Sequence, residues 1–272
     1  MAYRAAGFTA LLLILSNTQG CSPSPPPAGK AVAGASQAVG PAMFCGFLRD
    51  AHLFRDTTVT FAARVPENTA TGVPAHCRVV ATIKPTPGSN IGVEYRLPDA
   101  WNQKFLGLGG GEFGGSIVSD YFAEGLRRGY SVAQTDTGHT AADGIAWALK
   151  APGIPNADRV TDFAGRSVRL MTTVGKEIVN RYYGQNPNHS YWQGCSTGGR
   201  QGMREAQRFP EDYDGVIAGA PVHTTRLDLG MIWRMNQFHA KPGTALTSAL
   251  LPIINNAVLA ACDAKTGPSD GL

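Results

Sequence analysis

Residues 191–202 read YWQGCSTGGRQG, and within them Gly194-Cys195-Ser196-Thr197-Gly198 fits the pattern G-x-S-x-G. That spacing suits a serine nucleophile. A glycine two positions to either side lets a strand turn sharply into a helix, so the hydroxyl stands clear of the backbone. A serine attacking a carbonyl also needs a general base and hydrogen-bond donors for the oxyanion. The N–H of Thr197, directly after the serine, is one expected donor. The stretch LGLGGGEFGGS at 106–116 supplies the other, from Gly110 or Gly111, where no side chain blocks a substrate. The competing reading of Ser196 is a helix-capping serine in a glycine-rich turn. A phosphate-binding role for the glycines is disfavoured, because neither G-x-G-x-x-G nor a Lys-Ser/Thr ending stands in register before a helix.

The elements around these residues have the required order. TTVTFAARV, CRVVATIKP and IGVEYRLP alternate β-branched or aromatic residues with polar ones, between turn signals, and predict an antiparallel edge. The rhythm then changes. KFLGLGG is a short apolar strand running into glycines, SDYFAEGLRRG is helical, and YSVAQTD is a strand. A polar loop leads to a long helix from about Thr161 to Tyr183. NHSYWQG is the strand before Ser196, a helix runs from there to Phe209, and DGVIAGAP is one more strand. Strands alternating with helices predict a parallel sheet with right-handed crossovers. TALTSALLPIINNAVLAAC predicts a further helix near the end.

In a serine hydrolase of this order the acid and the histidine follow the nucleophile, on loops after later strands. Here the histidines after Ser196 are His223 and His239, expected at a pocket edge or lid base rather than as the base. Asp212 and Asp214 are expected to be solvated or capping carboxylates. The 272 residues therefore read as the N-terminal part of an enzyme.

The net charge of +4, with basic residues no more clustered than Arg127-Arg128, excludes a nucleic-acid partner. Arg4 precedes the apolar AAGFTALLLIL, which is too short to span a bilayer and has the form of a signal-peptide core. Residues 1–20 are read as a signal peptide and 21–41 as a Pro/Ala/Gly-rich tether. Residues 42–240 are read as the catalytic domain's N-terminal part and 241–272 as the beginning of a lid. Export is expected, to the periplasm, the outer membrane or the exterior. Lipidation of Cys21 and plain secretion both remain open, and a membrane is touched only through that anchor. Export permits disulfides, but the count of five cysteines fixes no pairing. His76-Cys77 lacks the spacing of a zinc site.

Several blocks, in order, resemble the tannase and feruloyl esterase family, which includes the hydrolase of mono(2-hydroxyethyl) terephthalate. They are FLGLGGGEFGGSI, RGYSVAQTDTGH, DFAGRSVRLMTTVGKEIVNRYYG and YWQGCSTGGRQGMREAQRFPEDYDGVIAGAP. The resemblance spans about residues 42–272 and implies an α/β-hydrolase fold, incomplete at its C-terminus, with an inserted lid begun. It implies a serine carboxylic ester hydrolase acting on aromatic esters (feruloyl, galloyl or terephthalate-type) through an acyl-enzyme, with no catalytic cofactor. Two alternatives stay open: an inactive fragment lacking the triad acid and histidine, and a non-catalytic binding module of the same fold.

The resemblance also gives the cysteines roles. Cys45 and Cys77 match a complete N-terminal disulfide. Cys195 matches a cysteine that pairs with one beside the catalytic histidine, and no such neighbour follows Ser196, so its partner is expected to be missing, as is that of Cys262. The segment from Cys262 resembles a calcium loop, with Asp263 and Asp270 as carboxylate ligands and Pro268 and Leu272 as carbonyl ligands. Thr266 stands in place of an acidic ligand beside Lys265, which leaves an exposed Asp/Gly turn as the other reading. Asp136 and His139 are expected to tie loops. Arg169 replaces a histidine common in the family. Trp101, Trp147, Trp192 and Trp233 are expected in the core or a pocket wall. Glu112, beside the oxyanion glycines, is expected to disfavour acidic phenolic substrates.

Overall fold

Where apolar and polar residues alternate after Arg55, the chain forms β1 (Thr57–Val65), β2 (His76–Ile83) and β3 (Ile91–Pro98), paired antiparallel. The computed structural model describes residues 45–50, 53–144, 146–222, 225–244 and 246–266. The signal peptide, the tether, Cys21, His223, Pro268, Asp270 and Leu272 lie outside them. β4 (Lys104–Leu108), α1 (Tyr121–Arg127) and β5 (Ser131–Thr135) follow, then a hairpin of β6 (Leu149–Ala151) and β7 (Ile154–Pro155). After it come α2 (Ala157–Thr161), α3 (Ser167–Tyr183), β8 (His189–Cys195), α4 (Thr197–Arg208) and β9 (Gly215–Gly219).

The main sheet has the order β1-β2-β3-β5-β4-β8-β9. β3 meets β5 antiparallel, and β5, β4, β8 and β9 run parallel. The α/β-hydrolase arrangement expected from the sequence is therefore present. From β4 the chain passes through α1 to β5 on one side and later through α3 to β8 on the other. The carboxyl end of β4 is thus a topological switch point, where open α/β sheets bind ligands.

β4 is buried on both faces, as a central parallel strand must be. Phe105 joins Tyr95, Ala133, Trp192 and the α3 residues Val168, Met171 and Ile178 in the larger core. Its neighbours Leu106 and Leu108 point the other way, into a second cluster with Val132 and the α1 residues Phe122 and Leu126. α3 approaches closely because Gly175 has no side chain: a Cβ there would stand 2.7 Å from the Tyr95 ring. The Tyr95 hydroxyl donates to the Met171 carbonyl at 3.1 Å.

The helix expected from Thr161 to Tyr183 is interrupted. Residues 162–166 form a wide turn in which Gly165 takes φ 154°, so α2 and α3 are separate. A Cβ on Gly165 would fall 2.1 Å from the Arg204 guanidinium carbon, and the absence of one admits that side chain. Cys45 and Cys77 form the expected disulfide across 32 residues. Closing such a loop restricts the unfolded chain by about 3–4 kcal/mol.

A second compact unit follows Val222. It contains α5 (Thr225–His239), which the sequence reading missed, and α6 (Leu251–Thr266), which it anticipated. α5 shows no clean apolar stripe, since Met231, Ile232, Trp233 and Met235 are all exposed. Trp233 is exposed, so of the two places expected for it the core is ruled out, whereas Trp101, Trp147 and Trp192 are buried. Among the described residues no helix is long and apolar enough to cross a membrane.

Asp136 ends β5 and ties it to β3: its Oδ1 accepts the N–H of Gly92 at 2.9 Å and of Gly138 at 2.8 Å. Burial pushes its pKa up to about 6 against those two N–H bonds, and nearby Asp162 adds to the rise. Between the unfolded carboxylate value and this raised one the native state holds the extra proton, so stability falls as pH rises from about 4 to about 6. Asp136→Asn keeps an Oδ1 acceptor and has no charge to bury. In urea unfolding across pH 4–7 the variant is expected to gain on the native chain by on the order of 2–3 kcal/mol above pH 6, with little difference at pH 4. Parallel pH profiles would refute the assignment.

Candidate active site

At the end of β8 the chain turns into α4 through a single residue, Ser196, which takes φ 58° and ψ −119°. This is sparsely populated backbone for a residue with a Cβ and costs about 1–3 kcal/mol unless its surroundings enforce it. They do so. The Ser196 N–H donates to the Gly219 carbonyl on β9 at 3.0 Å, and its own carbonyl accepts from Arg200 N–H at 3.0 Å and Val222 N–H at 3.3 Å. Trp192, at the core end of the turn, donates its indole N–H to the Gly198 carbonyl at 3.0 Å. The half-exposed serine stands at the carboxyl end of the sheet with the first turn of α4 directly behind it. The N-terminal end of that helix favours negative charge beside it.

Four glycines, Gly109, Gly194, Gly198 and Gly199, make this geometry possible. A Cβ on Gly109 would stand 2.4 Å from Gly198 Cα and 3.0 Å from Gly194 Cα, and one on Gly198 would stand 2.9 Å from Gly109 Cα. The loop after β4 therefore rests backbone to backbone on the serine turn. Gly199 plays the same part toward β9, since its Cβ would lie 2.3 Å from the Gly219 carbonyl.

The loop itself is tied at almost every residue. Gly109 N–H donates to the Gln193 carbonyl at 2.9 Å, and Gly114 N–H to the Gly111 carbonyl at 2.9 Å. The Thr197 hydroxyl donates to the Glu112 carbonyl. His139, buried, bonds the Phe113 carbonyl through Nε2 at 2.8 Å and stacks on Trp147. Gly115 N–H reaches the Asp136 carbonyl at 2.8 Å. Beneath the loop, fully buried Gln134 donates from Nε2 to the Gly109 carbonyl at 3.2 Å and accepts Val118 N–H at 2.6 Å.

The two glycines proposed as donors are not equivalent. Gly110 N–H donates to Gln201 Oε1 at 3.0 Å and is thereby engaged. Gly111 is exposed, and its N–H has no protein partner among the described residues. A Cβ would meet nothing within 4 Å at either position, so open space lies above them. Of the two glycines, Gly111 is thus the one whose N–H is not already engaged. Gln201 and Gln134 went unnoticed in the sequence; the one available signal was a long polar side chain within the short strand SVAQT.

None of three described histidines serves as a base for Ser196. His139 Nε2 is engaged by the Phe113 carbonyl, and its ring is stacked on Trp147. His76 bonds the Pro74 carbonyl at 2.8 Å, and His189 starts β8, at the end of the strand remote from the serine. His239 belongs to the second unit. Asp212 is buried and ion-paired with Arg169, which corrects the expectation of a solvated carboxylate. Arg169 also covers the Phe209 ring, so in this chain it joins α3 to the turn after α4. Asp214 is exposed and caps Ser190 N–H at 2.7 Å. Glu112 is exposed at φ 48°.

Cys195 is disulfide-bonded, contrary to the unpaired thiol expected. Cys262 is a free, exposed thiol. Of the four expected calcium ligands only Asp263 is described, and it lies in the last turn of α6. Among the described residues no three His, Cys, Asp or Glu side chains are grouped to hold a metal ion. No chemical step here runs through calcium.

The model of the family described as "Tannase and feruloyl esterase" matches residues 77–272. An uncharacterized esterase of Xanthomonas campestris pv. campestris is 37% identical over 229 residues, 79% of this chain and 38% of that protein. A probable feruloyl esterase of Arthroderma benhamiae is 37% identical over 185 residues, 67% of this chain and 34% of its own. Among solved structures, feruloyl esterase B from Aspergillus oryzae superposes with a TM-score of 0.67 at 30% identity, over 80% of this chain and 45% of that one. The chain thus spans little more than a third of the length of these curated relatives.

The backbone contact yields a paired prediction. Gly198→Ala pushes a Cβ into Gly109 and is expected to lose about 1–3 kcal/mol in urea unfolding. Gly110→Ala, which meets open space, is expected to stay within about 0.5 kcal/mol of the native chain. Equal stabilities for the two variants would mean that the loop does not rest on the serine turn.

Proposed function

The chain belongs to the tannase and feruloyl esterase family, and from that premise we propose that it carries the nucleophile and oxyanion donors of a serine carboxylic ester hydrolase. The observation that carries this reading is Ser196 at φ 58° in the strand-to-helix turn, with the glycine loop after β4 packed backbone to backbone on that turn through Gly109. A helix-capping serine does not need that conformation, and Ser196 makes no side-chain cap.

In the proposed reaction Ser196 Oγ attacks the ester carbonyl carbon as its proton passes to a base. The carbonyl π electrons move to oxygen, and the oxyanion accepts N–H bonds from Thr197 and Gly111. Donors already fixed in place stabilise this charge without reorganising during the step. Collapse expels the alcohol, which takes the proton back from the base, and leaves an acyl-serine. Water then attacks the acyl carbon as the base takes its proton, and collapse breaks the bond to Ser196 Oγ, which receives that proton as the acid leaves. The base is a histidine other than His76, His139 and His189.

The names of the relatives support an aromatic acyl group, of the feruloyl or galloyl kind, as substrate. The apolar segment after Arg4, outside the described residues, supports export.

Hydrolysis of methyl ferulate and p-nitrophenyl acetate by the protein, beside Ser196→Ala, tests the reading. Ser196-dependent turnover is expected, with the variant reduced about 10³-fold or more. Equal rates for the two proteins, or no turnover by either when the segment bearing the base histidine is present, would overturn it.

A further inference from the structure

Gln201 lies five residues beyond Ser196 on α4 and is 1% exposed. Its Oε1 accepts the Gly110 N–H at 3.0 Å, a link between residues 91 apart in sequence. Its other end is wasted: Nε2 is buried with no hydrogen-bond partner. An unpaired buried donor is a cost that a methionine of similar length would avoid. What the glutamine adds at this position is therefore its acceptor.

That acceptor settles which way one peptide faces. Gly110 and Gly111 have no Cβ, and nothing stands where a Cβ would be, so this pair is the least restrained stretch of a loop otherwise fixed by its neighbours. Because Gln201 is buried, the N–H it receives points inward, under the loop rather than into the open space. The next N–H, that of Gly111, is left for a ligand. We infer that Gln201 is a positioning residue of the oxyanion hole: it turns Gly110 away and so selects Gly111 as the donor that partners Thr197. This rests on the esterase reading above. Without the clamp the Gly110–Gly111 backbone samples other orientations, and a donor that must organise itself during the reaction loses most of its value.

The test uses the full chain with Gln201→Met, which fills the volume without an acceptor, and Gln201→Asn, one methylene too short to reach Gly110. Two quantities are read: hydrolysis of methyl ferulate, and hydrogen exchange of the Gly110 amide. Both variants are expected to lose kcat by about 10- to 100-fold with KM within about twofold of the native value. Gly110 exchange is expected to accelerate about tenfold or more, with the amides of β4 and β8 unchanged. A folded variant with fast Gly110 exchange and native kcat would overturn the positioning role. So would unchanged exchange, or a loss confined to KM. If Gln201→Met fails to fold, Gln201→Asn decides by the same criteria. If the native protein has no Ser196-dependent turnover, the esterase reading fails and the catalytic role falls with it, whereas the exchange data still report whether the clamp exists.

Discussion

Everything at this site depends on one contact that no side chain makes. The loop after β4 lies with Gly109 against Gly198 and Gly194, at a separation that leaves no room for a single methyl group on either side. Side-chain packing can adjust by rotamer changes, but two backbones in contact cannot. The position of the loop relative to Ser196 is therefore set by covalent geometry and by the sheet, through the pairing of β4 with β8 from Lys104↔His189 to Leu108↔Gln193. The switch point and the serine turn are one rigid object.

The strain at Ser196 is held by backbone bonds on the other side of the turn. Its unusual backbone is held by β9 through Gly219, by its own helix through Arg200, and by Val222. Around it, buried polar groups do what apolar ones could not. Gln134 fixes the Gly109 carbonyl, His139 the Phe113 carbonyl, and Gln201 the Gly110 N–H. Each has a definite partner, so the loop has one arrangement rather than several. The glycines make the close approach possible, and the buried amides remove the freedom that the glycines would otherwise bring.

Much of this was legible in the sequence, for identifiable reasons. Strand-to-helix alternation, the G-x-S-x-G spacing and the glycine-rich loop after KFLGL are local patterns, and local patterns predict local structure. The pairing of Cys45 with Cys77 followed from the family resemblance, not from the residues themselves. What failed was non-local. The helix across residues 161–183 is interrupted at Gly165, where the Arg204 side chain from another helix packs against the glycine. Asp212 looked like a surface acid until Arg169 covered it. Trp233 looked like core by residue type, yet it is exposed on α5. Gln201, in the middle of GGRQGMREAQR, reads as an ordinary helical glutamine, and only the fold brings Gly110 to it.

The central claim is that this rigid turn presents an activated Ser196, and the most direct measurement is the site of covalent modification. The protein is treated with an alkyl fluorophosphonate, whose phosphoryl group imitates the tetrahedral state, and the adduct is located by peptide mass spectrometry. The account predicts one adduct, on the peptide containing Ser196, and none in Ser196→Ala. An adduct on a different residue, or no adduct on a protein shown to be folded, would contradict it.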